Sequence, residues 1–149
     1  MNNIKNEEYY LQEINISTRR LKDVPKEFRD DKYFLMKAIN LIKKDWFYLF
    51  ACVSPEVMYD KELVLKIVEK NPMSVMYISE LLKEDKEIAL TALKINKDVF
   101  YCLGFNLKEE LRHKGSLDDK ISYLEKFVLK DKLSENLPIQ KISIKKTKI

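Results

Sequence analysis

Asp60-Lys61-Glu62-Leu63-Val64-Leu65-Lys66-Ile67-Val68 is followed 25 residues later by Asp85-Lys86-Glu87-Ile88-Ala89-Leu90-Thr91-Ala92-Leu93. An acid, a lysine, a second acid and an apolar stripe recur in the same order. A fixed period of this size marks a small supersecondary unit stacked on copies of itself. Asp60 and Asp85 stand where a helix N-cap belongs, with a short side chain that accepts from free N–H groups of the first turn. Glu62 and Glu87 follow inside that turn, where the helix dipole favours negative charge. Leu63, Val64, Ile67 and Val68 then fall at i, i+1, i+4 and i+5, as do Ile88, Ala89, Ala92 and Leu93. The spacing predicts one apolar stripe per helix.

A second helix is expected after each of these. Asn71-Pro72 reads as a cap followed by proline at the first helical position, where its missing N–H is no loss. Met73, Val75, Met76, Ile78, Leu81 and Leu82 would supply its apolar side, and Asn96 and Asp98 break the chain similarly before Val99, Phe100 and Leu103. Each unit is therefore predicted to be a helix–turn–helix of two helices of roughly ten residues, marginal alone and dependent on packing. The ladder extends through Cys52, Tyr77 and Cys102, and through Val57, Leu82 and Leu107. Backwards, Val24-Pro25-Lys26-Glu27-Phe28-Arg29-Asp30-Asp31 matches Val53 to Asp60 at an offset of 29. The four extra residues fall near Lys43-Lys44-Asp45-Trp46 and predict a longer helix or a widened turn.

The apolar ladder ends at His113, where Leu63 and Ile88 have their equivalent. Ser116, with Asp119 three residues later, then starts a further helix carrying Leu117, Ile121, Leu124, Phe127, Val128 and Leu129. The end of a stacked array needs a different outer face, so this reads as a C-terminal cap. Tyr9, Tyr10, Leu11 and Ile14 would form the opposite cap. The reading is all-α: stacked helix–turn–helix repeats of about 25 residues, a short α-solenoid with a C-terminal capping helix. Residues 1–138 form a single all-helical repeat domain, with units over about 24–109 and the cap helix over about 116–132. Residues 139–149 form a basic tail, in which Ile142-Ser143-Ile144 alternates like a strand but lacks a partner strand.

Composition narrows the function classes. In 149 residues there are only 2 glycines and 4 prolines, too few for the turns of an all-β sandwich. The net charge of +4 comes from the tail lysines Lys141, Lys145, Lys146 and Lys148, so the body is neutral. Cys52, Cys102 and the lone His113 have no zinc-ligand spacing, and no metal or cofactor is expected. Cys52 and Cys102 sit two units apart, too far for a disulfide on helix spacing, and are expected as buried small apolar groups. The N-terminal stretch has no signal-peptide apolar run, and the longest such run, Trp46 to Val53, is too short to span a bilayer. A cytoplasmic location is therefore expected, with no membrane partner.

The units Ser54-Pro55-Glu56-Val57-Met58-Tyr59-Asp60-Lys61-Glu62-Leu63-Val64-Leu65 and Ile78-Ser79-Glu80-Leu81-Leu82-Lys83-Glu84-Asp85-Lys86-Glu87-Ile88-Ala89-Leu90 resemble a known short tandem helical repeat, domain of unknown function 4116. Its pattern is a Ser-x-Glu-Leu turn, an Asp-Lys-Glu cap and an apolar helix ending near Asn. Residues from about 24 to 109 follow it, although Cys52-Val53 and Tyr77-Ile78 replace the alanine that usually precedes the turn serine. The resemblance implies tandem α-hairpins and brings no catalytic residues. Members occur in bacterial effector-like and virus-associated proteins. It thereby implies a host- or defence-directed binder or inhibitor from a bacterium, mobile element or virus, including one delivered into a host cell.

No nucleophile and orienting acid are placed around His113, and no phosphate-binding or hydrolase motif occurs. The leading expectation is a non-enzymatic helical-repeat protein-interaction module with a protein partner. Trp46 and Tyr48, beside Lys43 and Lys44, break the period and are the candidate partner-binding residues, the alternative being that they pack against the N-terminal segment. The alternative is an RNA- or DNA-binding protein using Lys141, Lys145, Lys146 and Lys148 together with the Lys43–Trp46 turn.

Overall fold

A computed structural model describes residues 6–136; the 139–149 tail, with its four lysines and Ile142-Ser143-Ile144, lies outside the described residues. Within them the chain is all-helical, with no strand. The long helices are α1 (Glu7–Ile16), α3 (Lys32–Leu41), α5 (Lys61–Lys70), α7 (Lys86–Ile95), α8 (Phe105–Arg112) and α9 (Leu117–Glu135). Shorter pieces connect them: α2 (Lys26–Arg29), α4 (Phe47–Cys52), α6 (Glu80–Lys83) and 3-10 turns over Thr18–Asp23, Pro55–Tyr59, Pro72–Tyr77 and Lys97–Cys102. Helices α1, α3, α5, α7 and α9 pack in that order, each on the next, while the short pieces form a second layer.

The aspartates cap as the sequence predicts. Asp31 accepts from the Phe34 N–H at 2.7 Å and Asp60 from that of Leu63 at 2.9 Å. Asp85 accepts from both Glu87 and Ile88 at 2.9 and 3.0 Å. The lysine that follows each cap crosses to the next long helix. Lys32 meets Asp60 and Glu62 at 2.9 and 2.6 Å, and Lys61 meets Asp85 and Glu87 at 2.8 and 3.0 Å. Lys86 reaches Glu110 at 2.7 Å. The N-termini of α3, α5 and α7 therefore stand side by side, and the caps Asp60 and Asp85 are each shared between their own helix and the preceding helix's lysine.

The apolar residues of α5 serve two faces rather than one stripe. Leu63 and Ile67 join the N-terminal core with Phe34, Leu35, Ala38 and Ile39, whereas Val64 and Val68 join the C-terminal core with Ile88, Ala89, Ala92 and Leu93. Adjacent pairs at i/i+4 and i+1/i+5 point to opposite flanks, so one helix fills both cores. The expected ten-residue second helices are not formed. After Asn71 the chain makes the six-residue 3-10 turn Pro72–Tyr77, Ile78 extends, and Ser79 caps the four-residue α6 by accepting from Leu82 N–H at 3.3 Å. The serine side chain competes for the backbone at mid-segment and restarts the helix there.

The four extra residues widen a turn and do not lengthen a helix. Helices α3, α5 and α7 are each ten residues long, and after Leu41 the chain passes through Ile42 to Asp45, which adopts φ 58°. At the other end, Ser116 and Asp119 form the expected capping box. Helix α9 lies antiparallel on α7, since Lys97 and Lys94 pair with Asp118 and Glu125 while Glu87 pairs with Lys132. Of its expected core residues only Leu124 is fully buried; Leu117, Ile121 and Val128 are partly buried, and Phe127 and Leu129 remain exposed. At 19 residues the helix outruns the ten-residue α7 that it covers. Helix α1 buries Ile14, with Tyr10 and Leu11 partly covered and Tyr9 at 36% exposure.

Lysine contacts hold several carboxyls below their ordinary range. The hydrogen bond from Lys132 dominates at Glu87, burial opposes it, and Lys61 adds to the lowering. At Glu110 the bonds from Lys86 and Tyr123 act in the same sense. A carboxyl lowered in the folded state contributes stability above its unfolded pKa and loses it as pH falls through the folded value. The melting temperature is expected to drop between about pH 5 and about pH 3, and less steeply in Glu87→Gln. Parallel melting curves for the two proteins would contradict this role.

Candidate interaction surface

Lys43, Lys44, Trp46 and Tyr48 all lie in or beside the widened turn, but they do not form one outward-facing site. Trp46 precedes the first turn of α4 and packs, half-buried, against the N-terminal core. Tyr48 is half-buried, with the Arg19 guanidinium 5.5 Å from its ring centroid. Arg19 also pairs with Asp45 at 3.9 Å, and Thr18 Oγ1 donates to the Lys44 carbonyl at 3.0 Å. These contacts fold the turn onto Thr18–Asp23. Lys43 and Lys44 remain exposed.

The aromatic surface lies one step away. Phe47, the first residue of α4, is 60% exposed and sits edge-on to Tyr77 at 6.4 Å between ring centroids. Tyr77 stacks on Phe50 at 4.7 Å while keeping 43% of its surface open. The 3-10 turns Pro72–Tyr77 and Lys97–Cys102 pack together, and Tyr101, the register partner of Met76, is 79% exposed. Phe105 on α8 is 72% exposed. Large exposed apolar side chains grouped on neighbouring elements mark contact surfaces on folded proteins.

Beyond Tyr101 the surface becomes a groove of about 440 Å³ lined by Phe100, Phe105, Lys108, Glu109, Arg112 and Lys120. Sequence reasoning missed it by stopping at the loss of apolar residues near His113. The signal was present in the register. Phe105 stands where the preceding units carry Pro55 and Glu80, and Arg112 stands where they carry Glu62 and Glu87. Helix α8 is positioned by Glu84, whose carboxylate accepts from the Asn106 and Leu107 N–H groups at 3.1 and 2.7 Å. Gly104 permits that approach, because a Cβ there would fall 2.3 Å from the Glu84 carboxyl carbon.

The other candidate groups have structural surroundings. Cys52 and Cys102 are free and partly buried, not fully buried as expected, and each packs against one of the two cores. Burial raises the Cys52 thiol pKa, with Arg29 opposing, so less of it is the reactive thiolate. His113 is the exposed C-cap of α8. Among the described residues, no group of three or more histidines, cysteines and acids is placed to hold a metal ion. Nor is any of their helices long and apolar enough to cross a membrane.

Residues 60–108 match the family model described as Domain of unknown function (DUF4116). The DUF4116 match is shorter than the 24–109 read from the repeat pattern. It covers α5, α6, α7, both intervening 3-10 turns and the first half of α8, and so includes Tyr77, Tyr101, Phe105 and Lys108. No curated protein and no solved structure matches the chain.

Trp46 packs on the core from the widened turn, beside the buried Ile42. Trp46→Ala is expected to lower stability by about 2 kcal/mol in chemical denaturation, part of the cost of removing a fully buried aromatic. Unchanged stability would show that the indole is not needed for folding and return it to the list of free contact residues.

Proposed function

We propose that the chain is a short α-solenoid acting as a protein-interaction module, with no catalytic activity of its own. Three features support the stacked-repeat reading: the aspartate caps at matching register positions, the lysines that reach from one long helix to the next, and the division of α5 between two cores. Stacked units of this type present extended surfaces on which a partner can lie.

The observation that carries the binding reading is the set of exposed aromatic side chains Phe47, Tyr77 and Tyr101 on second-layer elements together with Phe105 at the start of α8. Aromatic side chains combine large contact area with few rotatable bonds and dominate the energetics of many interfaces. The nucleic-acid alternative has weaker support. Its aromatic element, Trp46, is packed inward, and the chain without its lysine tail has balanced charge. A host or rival-defence protein, the class implied by the resemblance, is the first partner to test.

Wild type and Phe47→Ala/Tyr101→Ala are to be compared as cross-linked baits in lysate, after thermal melts establish that both fold. Both side chains are more than half exposed, so unchanged melts are expected. The double variant should recover its partner at least about tenfold less well, the usual effect of truncating interface anchors. Equal recovery would contradict the assignment of this face.

A further inference from the structure

The geometry points to the groove between Lys97–Cys102, α8 and the start of α9 as a docking site for an acidic peptide segment that carries an aromatic side chain and belongs to a partner protein. This rests on the protein-interaction reading and names the partner's chemistry. The argument begins with which cations already have a carboxylate. Lys32, Lys61 and Lys86 are each satisfied by acids of the next element at 2.6–3.0 Å. The groove is different. Lys108 Nζ donates to the Tyr101 carbonyl at 3.3 Å and Lys120 Nζ to the Gly115 carbonyl. Neither ammonium makes an ion pair among the described residues. The one acid of the groove, Glu109, is engaged by Arg112 at 2.5 Å.

Lys108 and Lys120, half-buried as residues, thus line the groove beside Phe100 and Phe105 with no carboxylate paired to either ammonium among the described residues. The Lys120 ammonium lies 5.9 Å from the Phe100 ring centroid. Carboxylates arriving from a partner would complete these lysines as Asp60 and Asp85 complete Lys32 and Lys61. An incoming aromatic or long apolar side chain would cover Phe105, which is 72% exposed. The register adds an independent argument. The chain departs from the earlier units at two positions of this one groove, placing Phe105 where they carry Pro55 and Glu80 and Arg112 where they carry Glu62 and Glu87, and both changes favour an anionic, apolar-bearing ligand.

A single-stranded nucleic acid also combines negative charge with rings, but its binding needs cations tracking several phosphates alongside stacked bases. In the groove the cations Lys108, Arg112 and Lys120 lie beside Phe100 and Phe105, whereas Phe47, Met76, Tyr77 and Tyr101 continue the face with exposed apolar side chains suited to a peptide. The groove's positive charge also disfavours the chain's own lysine-rich tail as its occupant.

The test is to pan a phage-displayed random peptide library on the full chain and measure the selected peptides by fluorescence polarisation. Wild type, Lys108→Gln/Lys120→Gln, Phe105→Ala and Phe47→Ala/Tyr101→Ala are compared, each first checked for a wild-type melt. The expected selection is for acidic peptides with an aromatic residue, binding at least about tenfold more weakly to the lysine variant and also more weakly to Phe105→Ala. Acidic peptides unaffected by both groove variants would overturn the inference, as would no enrichment. Neutral peptides lost only on Phe47→Ala/Tyr101→Ala would overturn the groove while leaving the protein-interaction reading intact. Tighter binding of a fluorescent oligo-deoxythymidine than of any selected peptide, weakened by the lysine variant, would overturn both.

Discussion

A carboxylate shared between two helices is the constraint on which the rest of the structure depends. Asp60 and Asp85 each accept from the first turn of their own helix and from the ammonium of the preceding long helix. The first role fixes where the helix begins. The second fixes where that beginning lies relative to its neighbour. A helix of ten residues has little stability alone, so the carboxylate and the flanking cores must act together. Because the same acid does both, the sequence spacing between caps becomes a spatial spacing between helices. Each pair is partly exposed and therefore modest in energy. Its larger consequence is register, since a slip of one residue along α5 would misplace both Lys61 and the apolar pairs that divide between the two cores.

This arrangement leaves the second layer free to vary. The long helices carry the caps and most of the buried apolar residues, whereas the connecting 3-10 turns need to bury only one or two side chains each, such as Val75 and Val99. Their outward positions escape the packing constraint, and there the chain places Met76, Tyr77 and Tyr101, with Phe47 of α4 beside Tyr77. At the C-terminal end the pattern changes sign. Lys86 finds Glu110 in register, while Arg112 replaces the second acid and pairs with Glu109 of its own helix. Helix α9 then covers α7, fixed by ion pairs to Lys94, Lys97 and Glu87 and by the Lys86 ammonium 3.8 Å from the Phe127 ring centroid.

What was legible in the sequence was what neighbouring residues decide. Asp31, Asp60, Asp85 and the Ser116–Asp119 capping box depend on atoms within one helical turn, and all were readable. So was the core role of Leu63, Val64, Ile67 and Val68. The 3-10 form of Pro72–Tyr77 was not, because a short segment takes whichever helix its packing dictates. Packing of Trp46 against the N-terminal segment was readable as the alternative to an outward anchor, but nothing local shows that Thr18–Asp23 is the element that folds back on its turn. The cross-unit pairs Lys32–Asp60 and Lys61–Asp85 join residues more than twenty positions apart and become visible only when the units are placed side by side. The groove residues Phe105 and Arg112 were readable as departures from the period, but only by following the exposed positions as closely as the buried ones.

The most direct test of the shared carboxylate is a double-mutant cycle by chemical denaturation on Lys61→Met and Asp85→Asn. Asparagine retains much of the capping ability of aspartate, so the cycle isolates the link between units. The account predicts a coupling of about 0.5–1 kcal/mol, reduced in high salt. Strictly additive effects of the two substitutions would mean that the caps start each helix but do not join one to the next.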